Sequence, residues 1–252
     1  MAGFLSRLFG GEKEETTLPE ANPILTDMHS HVLPGLDDGA ENPEQSLVLL
    51  ENLYRLGYRK LIMTPHIMGD FYKNTPEGIR EKLQVLKMVA LEAKIEMELF
   101  CAAEYYLDEW FTDRIENGTE ILTFGGAHKY MLFETSYINK PINFKEAIFA
   151  MQTAGYKPVL AHPERYTYLY NSFAELEEIK SKGVLLQLNI NSLSGYYSAA
   201  AKKFAEQMID AGMVDFAGTD THHPKHIKAM DRSRTLPYYK KLLALPLLNN
   251  SL

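Results

Sequence analysis

Seven short apolar segments, separated for the most part by segments with helix signals, constrain the fold of this 252-residue chain more than any other feature. The apolar segments cover residues 24–28, 60–64, 96–103, 130–133, 158–161, 184–188 and 214–217. Helix start and stop signals lie between them, notably Pro43, Pro76, Gly57, Gly155, Gly183 and Gly212. Such alternation predicts an α/β fold with parallel strands and right-handed crossovers. Polar residues follow every strand, whereas an open sheet would gather them at one switch point. We therefore predict a closed or nearly closed barrel.

Side chains that commonly bind metals follow six of these seven strands. They are His29, His31, His66, Glu104, Glu134, His162, Asp220 and His222, and Asp38 lies in the first loop. In an α/β barrel the carboxyl ends of the strands share one face, so these side chains are expected to converge there. Each one alone is more simply explained as a hydrogen-bonded loop residue or a member of an ion pair. Together they would repel one another or stay unsatisfied unless cations lay among them.

The number and type of these side chains indicate two or three divalent metal ions. Eight or nine ligands exceed what one ion needs, and a nitrogen–oxygen set without cysteine suits manganese, iron or zinc. A hydroxide that bridges such ions is suited to attack phosphorus, so the set predicts hydrolysis of a phosphoester. Hydrolysis of a carbon–nitrogen bond stays an open alternative. Arg165, three residues after His162, is placed to bind phosphoryl oxygens, although a surface ion pair would also explain it. Replacement of His162 or Asp220 is expected to abolish turnover.

Composition and charge exclude several classes of protein. The formal net charge of -7 argues against a nucleic-acid partner and therefore against a nuclease. Cys101 is the single cysteine, and Leu107 stands six residues beyond it, where a cysteine-dependent tyrosine phosphatase needs an arginine. No apolar run reaches the roughly 18 residues of a membrane span. These features favour a cytoplasmic protein.

The chain divides into a flexible N-terminal tail, residues 1–22, and one catalytic domain, residues 23–252. The tail is polar and charged after Gly10, which is typical of a linker. Its first residues contain an apolar set at helical spacing, Phe4, Leu5, Leu8 and Phe9. A mobile tail and a weak interfacial helix both remain open. The second would give weak membrane association and place the protein peripherally at the inner membrane face.

Several short motifs resemble those of the PHP (polymerase and histidinol phosphatase) superfamily. In chain order they are Asp27-Met28-His29-Ser30-His31 with Leu36-Asp37-Asp38-Gly39, Met63-Thr64-Pro65-His66, Ala103-Glu104, Phe133-Glu134, Leu160-Ala161-His162-Pro163-Glu164-Arg165-Tyr166 and Gly218-Thr219-Asp220-Thr221-His222. They extend over nearly the whole predicted domain. Within the superfamily, the chain resembles the bacterial metal-dependent protein tyrosine phosphatases encoded with capsule and exopolysaccharide genes.

This resemblance implies a distorted (β/α)7 barrel that holds up to three metal ions, usually manganese. It also implies that Asp38, rather than Asp37, is the ligand from the first loop, and that Arg165 binds phosphate. The implied substrate is a phosphotyrosine in the tail of a bacterial tyrosine kinase. The implied metal ligands are His29, His31, Asp38, His66, Glu104, Glu134, His162, Asp220 and His222.

The sequence departs from this family at one place. A second phosphate-binding arginine is expected shortly after the final Asp-x-His motif, and its position holds none here. Its candidate substitutes are Lys225, His226, Lys228 and Arg232. Among seven tyrosines near the strand ends, one or two are expected to contact the aromatic ring of the substrate, and we assign this role to Tyr166.

Two alternatives keep the same fold. A small-molecule phosphatase of the histidinol-phosphate type would use the same metals with a different pocket rim. A catalytically silent regulator would bind a phosphotyrosine tail without turnover, but its mark would be lost ligands, and every expected ligand is present in the sequence.

Overall fold

The structure, a computed structural model, describes residues 22–252. The predicted tail therefore lies outside the described residues except for Asn22, and so does the interfacial helix considered for it. The strands in the described part are β1 (Thr26–Asp27), β2 (Lys60–Met63), β3 (His66–Ile67), β4 (Glu98–Cys101), β5 (Glu104–Tyr106), β6 (Tyr130–Glu134), β7 (Lys157–Ala161), β8 (Leu185–Asn189) and β9 (Phe216–Gly218). The helices are α1 (Pro43–Arg55), α2 (Pro76–Glu92), α3 (Glu109–Glu116), α4 (Phe144–Thr153), α5 (Phe173–Ser181), α6 (Ala199–Asp210), α7 (Pro224–Arg234) and α8 (Pro237–Leu243).

Parallel pairing connects these strands into two sheets. One has the order β1-β2-β4 and the other the order β3-β5-β6-β7-β8-β9. A bridge between Ser30 and Thr221 joins the segment after β1 to the segment after β9. Asp27 strengthens this junction, because its carboxylate accepts hydrogen bonds from Thr219 N at 3.0 Å and Thr219 Oγ1 at 2.7 Å. The predicted α/β class with parallel strands is confirmed, and these links give the sheets a barrel-like arrangement.

Two of the seven predicted strands are each followed directly by a further short strand, β3 or β5, which the sequence did not predict. The segment predicted at residues 60–64 ends at Met63, and β3 begins after Thr64 and Pro65. Pro65 has no N–H to donate to a neighbouring strand, so the ladder is interrupted there. The segment predicted at residues 96–103 likewise ends at Cys101, and β5 begins at Glu104. After each interruption the next strand begins with a candidate ligand, His66 in β3 and Glu104 in β5.

Helix capping explains where several helices begin. Asn42 caps α1 by accepting a hydrogen bond from Gln45 N at 2.9 Å, and Thr75 caps α2 by accepting one from Gly78 N at 3.1 Å. Helix α3 has no counterpart in the sequence prediction. Asp108 caps it by accepting from Phe111 N at 2.7 Å. Its eight residues are too few for a clear periodic signal.

The helices pack their apolar faces onto the sheets. Leu49, Leu50 and Leu53 of α1 are essentially fully buried, and each contributes roughly 2 kcal/mol of hydrophobic stabilisation. The interior between the strands has a second apolar cluster around Met28, Leu132 and Phe216. None of the helices within residues 22–252 has both the length and the apolar character needed to cross a bilayer.

Candidate metal centre

The nine predicted metal ligands converge at the carboxyl ends of the parallel strands. They form four overlapping groups, and the ligand atoms of each group lie within 4.8 Å of one another. The groups are His31 with Asp38, His66 and His222; His29 with His31 and Asp220; His29 with Glu104 and His162; and His66 with Glu104 and Glu134. Each group offers three or four nitrogen and oxygen atoms, which is a suitable number for a divalent cation.

His29 and His31 reach the same point from the end of β1. Their Nε2 atoms lie 3.3 Å apart, and Asp220 Oδ1 lies 3.5 Å from the first and 3.4 Å from the second. All three residues are almost fully buried. The alternation of side chains along an extended backbone predicted that the two imidazoles would share a face, and they do.

Glu104 lies in the middle of the cluster. Its Oε2 atom is 3.2 Å from His29 Nε2 and 3.2 Å from His66 Nδ1, and its Oε1 atom is 3.0 Å from His162 Nε2. Glu134 Oε1 also lies 3.2 Å from His66 Nδ1. Because Glu104 belongs to two of the four groups, its two oxygens are available to two neighbouring cations.

The two aspartates of the first loop have different surroundings. Asp38 Oδ1 lies 3.4 Å from His222 Nε2 and 3.6 Å from His66 Nε2, and its side chain is 58% exposed. The Asp37 side chain is fully buried, and its Oδ2 accepts hydrogen bonds from His31 Nδ1 at 2.7 Å and His66 N at 2.9 Å. Asp38 therefore faces the cluster, as the family resemblance implied, whereas Asp37 orients one of its histidines.

Gln187 supports the cluster from β8, and the sequence analysis missed it. Its Oε1 atom accepts hydrogen bonds from His29 Nδ1 at 2.9 Å and His162 N at 3.1 Å. The backbone N–H of His162 can only donate, so it fixes which end of the Gln187 amide faces His29. The available signal was a single polar residue inside the apolar run Leu185-Leu186-Gln187-Leu188.

The hydrogen bonds at Nδ1 of His29 and His31 show whether the opposite ring nitrogens are free to bind a cation. His29 Nδ1 faces the Gln187 carbonyl oxygen and His31 Nδ1 faces the Asp37 carboxylate, so each Nδ1 carries the proton of a neutral ring. Each Nε2 then directs a lone pair toward the other and toward the Asp220 carboxylate. Acceptors that face one another in a buried space need a cation between them. The residues therefore fit a metal cluster, with their second ring nitrogens held as metal-binding histidines require.

The shifted pKa values of the clustered side chains also show that this site favours positive charge. Burial disfavours protonation of His66, but the Glu104 and Glu134 carboxylates together outweigh it and raise the pKa of His66 to about 9. Burial likewise opposes protonation of His31, yet Asp37 holds its pKa well above the usual value. Burial opposes ionisation of Glu104, but His29 and His66 hold its pKa well below the usual range. Protons or metal ions must supply this charge.

Two of the ligands turn inward through strained backbone. His162 has φ of 32° and Asp220 has φ of 49°, both in the left-handed region. Such conformations cost on the order of 1–3 kcal/mol each and persist where the surrounding structure fixes them. Gly39 permits the first loop to close, because a Cβ atom there would lie 2.1 Å from His31 O. The chain thus tolerates local strain at the points where ligands enter the cluster.

A cavity of about 570 Å³ opens onto the cluster. Six of the nine candidate ligands line it, and several of its other lining residues are aromatic or apolar: Met68, Tyr72, Tyr106, Tyr137, Ile138 and Tyr197. Pockets of this volume enclose small organic groups. The cavity therefore offers a metal-rich face and an aromatic wall in one space.

Arg165 lines the same cavity. It lies in the 3₁₀ turn Pro163–Arg165 directly after His162, and its side chain is 20% exposed. Its Nη1 atom donates to Asp220 Oδ2 at 2.8 Å, which is the hydrogen bond that the guanidinium makes within the described residues. Its other donors remain available to an anion in the cavity.

Tyr166 is placed differently from the sequence prediction. Its side chain is fully buried in the core, its ring stacks on Tyr168 with centroids 5.4 Å apart, and its hydroxyl accepts from Thr135 N at 3.2 Å. The residues that line the cavity do not include it. The substrate contact expected of Tyr166 therefore stays a prediction that the cavity lining does not support, because the aromatic packing that follows the turn carries its ring into the core.

Of the four candidate substitutes for a second arginine, one lines the cavity and three do not. His226 lines the cavity, but burial lowers its pKa to about 4, and its Nδ1 atom lies 2.9 Å from Asp220 O. Lys225, Lys228 and Arg232 are exposed on α7 and do not line this cavity. Among the residues that line the cavity, Arg165 is the permanent side-chain cation.

Comparisons with known proteins show which family the chain matches. Residues 25–238 match the family described as capsular polysaccharide synthesis, CpsB/CapC. The tyrosine-protein phosphatase YwqE of Bacillus subtilis (strain 168) is 29% identical over 202 residues, which are 80% of this chain and 78% of YwqE. The tyrosine-protein phosphatase CpsB of Streptococcus pneumoniae is 27% identical over 204 residues, 79% of this chain and 83% of CpsB.

Solved structures extend the comparison to the fold. A chain from the crystal structures of YwqE from Bacillus subtilis and CpsB from Streptococcus pneumoniae, described as unique metal-dependent tyrosine phosphatases, has a TM-score of 0.76 and 26% identity. The match covers 83% of this chain and 84% of that one. The phosphotriesterase homology protein from Escherichia coli has a TM-score of 0.52 and 16% identity, covering 88% and 92% of the two chains. This last likeness concerns the fold alone.

Proposed function

The chain belongs to the CpsB/CapC family of capsular polysaccharide synthesis, and from this premise we propose that it is a metal-dependent protein tyrosine phosphatase. The relatives YwqE and CpsB are named tyrosine-protein phosphatases, and the similar crystal structures are described as metal-dependent. The observation that carries the proposal is the set of four overlapping ligand groups that meets a cavity containing Arg165. Metal ligands and a phosphate-binding cation in one space are the parts that phosphoester hydrolysis requires.

In this proposal the nine converging residues hold two or three divalent ions, with manganese as the resident metal. When bound, these ions would supply Lewis acidity at the phosphoryl group and a nucleophile from water at neutral pH. Glu104, which belongs to two of the ligand groups, and the paired histidines would hold neighbouring ions. Asp37 and Gln187 hold His31 and His29 in the tautomers that leave Nε2 free to bind.

Arg165 binds the phosphoryl oxygens that the ligand cluster does not reach. Its planar group matches the geometry of phosphate oxygens and neutralises the charge that develops on them. Tyr72 and Tyr106, which line the cavity, contact the phenyl ring of the substrate. The phenolate leaves more readily than an alkoxide would, since the phenol of tyrosine has a pKa near 10.

The physiological substrate in this proposal is a phosphotyrosine-containing protein, a tyrosine kinase that acts in capsule or exopolysaccharide synthesis. The support is the family itself, which is defined by capsular polysaccharide synthesis. We place the enzyme in the cytoplasm, at the inner membrane face where such a kinase would present its tail. A co-precipitation of the full chain with the kinase, with and without residues 1–22, tests the partner and the role of the tail.

The test of the activity combines metal analysis with turnover. The full chain is purified, its metal content measured, and release of phosphate from a phosphotyrosine peptide followed with chelator and after addition of manganese. We expect two or three metal ions per chain and turnover that a chelator stops and manganese restores. Histidinol phosphate serves as the competing substrate in the same assay.

The outcomes separate the candidate functions. Faster turnover of histidinol phosphate than of the peptide would assign the chain to small-molecule hydrolysis. Peptide binding without phosphate release in the metal-loaded protein would make it a regulator. A protein that takes up no metal and hydrolyses neither substrate would refute the proposed metal centre.

A further inference from the structure

The guanidinium of Arg165 is held between tyrosine rings as well as by a carboxylate. Its Cζ atom lies 4.1 Å from the ring centroid of Tyr197 and 4.7 Å from that of Tyr137. Both distances are within the range of favourable cation–π contacts. We call Tyr137 and Tyr197 the aromatic clamp. An arginine with two ring contacts and an ion pair loses most of the rotamer freedom that a free arginine has.

Asn189 connects the aromatic clamp to the carboxylate that Arg165 contacts. Its Nδ2 atom donates to Tyr197 Oη at 2.8 Å and to Asp220 Oδ2 at 2.8 Å. The backbone N–H of Asn189 donates to the buried Glu164 at 3.0 Å, which fixes the asparagine at the end of β8. Asn189, Tyr197, Arg165 and Asp220 thus form a closed ring of contacts.

The two oxygens of Asp220 have separate roles in this ring. Oδ1 faces the candidate ligands His29 and His31, at 3.5 and 3.4 Å. Oδ2 receives the hydrogen bonds of Arg165 and Asn189. The arginine is therefore attached to the side of the carboxylate that points away from the ligand pair.

We propose that Tyr137 and Tyr197 are positioning residues that hold the Arg165 guanidinium ready for the phosphoryl oxygens of the substrate. This inference rests on the proposed function, which makes phosphate the ligand of Arg165. Since the arginine is ordered before the ligand arrives, phosphate binds without the entropic cost of ordering that side chain. The tyrosines act through Arg165 and need no contact of their own with the phosphate.

Inorganic phosphate is the probe that tests the clamp. Its dissociation constant is measured by calorimetry on the metal-loaded full chain, and its inhibition constant is measured against an aryl phosphate. In Tyr197→Leu both constants are expected to rise about tenfold, because the arginine becomes mobile. In Tyr197→Phe the ring remains, so the rise stays within about threefold. Tyr137→Leu, at a more exposed residue, gives a second loss-of-ring variant.

The chain contains a matched control for the loss of a ring. Arg59 Cζ lies 4.5 Å from the ring centroid of Tyr54, at the opposite end of the strands from the candidate site. Tyr54→Leu removes the same kind of contact and is expected to leave phosphate binding unchanged. Metal content and melting temperature are measured for every variant, so that a general loss of structure is recognised.

A double-mutant cycle decides whether the tyrosines act through the arginine. In an Arg165→Met background, Tyr197→Leu should weaken phosphate binding no further. The proposal is overturned if the leucine variants bind phosphate within twofold of wild type, if Tyr54→Leu has an equal effect, or if the effect persists without Arg165. The calorimetric titrations need no turnover of any substrate, so failure of the clamp and failure of the proposed activity give different results.

Discussion

The buried carboxylate of Asp37 accepts a 2.7 Å hydrogen bond from His31 Nδ1, while its neighbour Asp38 faces His222 and His66. Asp37 also accepts from Gly39 N and His66 N, so it uses both oxygens as acceptors. An asparagine has one acceptor oxygen and cannot satisfy these donors. We expect Asp37→Asn to keep the number of bound metals but weaken their affinity by about 10–100-fold.

The neighbouring substitution should give a different pattern. Asp38→Asn removes a charged ligand oxygen from the most exposed ligand group and leaves the Asp37 hydrogen bonds intact. We expect this variant to bind one metal ion fewer. Metal titration of both variants distinguishes affinity from stoichiometry, and equal behaviour of the two would contradict the roles assigned here.

Gln187 should matter as much as a ligand although it belongs to none of the four ligand groups. Gln187→Ala deprives His29 Nδ1 and His162 N of their shared acceptor, so metal affinity is expected to fall by about 10–100-fold. Gln152→Ala is the control, because that glutamine is exposed and bonds to Lys182 O. Metal affinity that is unchanged in Gln187→Ala would show that the hydrogen bond does not set the tautomer of His29.

Asp220→Asn is expected to reduce turnover by more than about 100-fold while the chain stays folded, since asparagine tolerates the left-handed backbone of this position. The variant loses the charge that faces His29 and His31. Steady-state kinetics and far-ultraviolet circular dichroism measure the two properties. Asp210→Asn, on the surface of α6 where the carboxylate contacts Lys241, is the control for the same substitution outside the ligand groups.

Removal of the metals should destabilise the protein as well as inactivate it. Four carboxylates meet in the cluster, and the metal-free chain must bind protons there or tolerate repulsion. A ligand present at 100 times its dissociation constant stabilises the native state by about 2.7 kcal/mol. We expect the melting temperature to fall in chelator and to recover with manganese. A melting temperature that does not depend on metal would argue against the cluster.

Gly218→Ala should disturb the site through packing. The added Cβ would lie 2.8 Å from both Gln187 Nε2 and His29 Cβ, and the second of these belongs to a constrained ligand. We expect a loss of roughly 1–3 kcal/mol in the free energy of unfolding, together with weaker metal binding. Gly78→Ala in α2 meets ordinary contacts and should be neutral or slightly stabilising. Chemical denaturation compares the two.

The parts of the site that the sequence predicted follow from strand direction alone. Residues at the carboxyl ends of parallel strands must meet, so the positions of His66, Glu134 and His162 were deducible from local patterns. The additional short strands β3 and β5 were not deducible, because their pairing partners are set by tertiary contacts. Helix α3 was missed because eight residues carry little periodicity.

The residues that orient the ligands were harder to find. Gln187 is 158 residues from His29, and nothing in the local sequence names its partner. Tyr166 and Tyr197 look alike in sequence, yet one is buried against Tyr168 and the other covers Arg165. Which tyrosine faces the cavity depends on how the turns after β7 and β8 pack, and that is decided by the whole fold.

The hydrogen bonds between Asp27 and Thr219 join residues that are 192 positions apart. The ligand group of His29, His31 and Asp220 lies directly beside this junction. During translation, therefore, the first histidines leave the ribosome long before their carboxylate partner exists. A truncated or still-growing chain therefore lacks the complete set of candidate ligands until synthesis has passed Asp220 and His222.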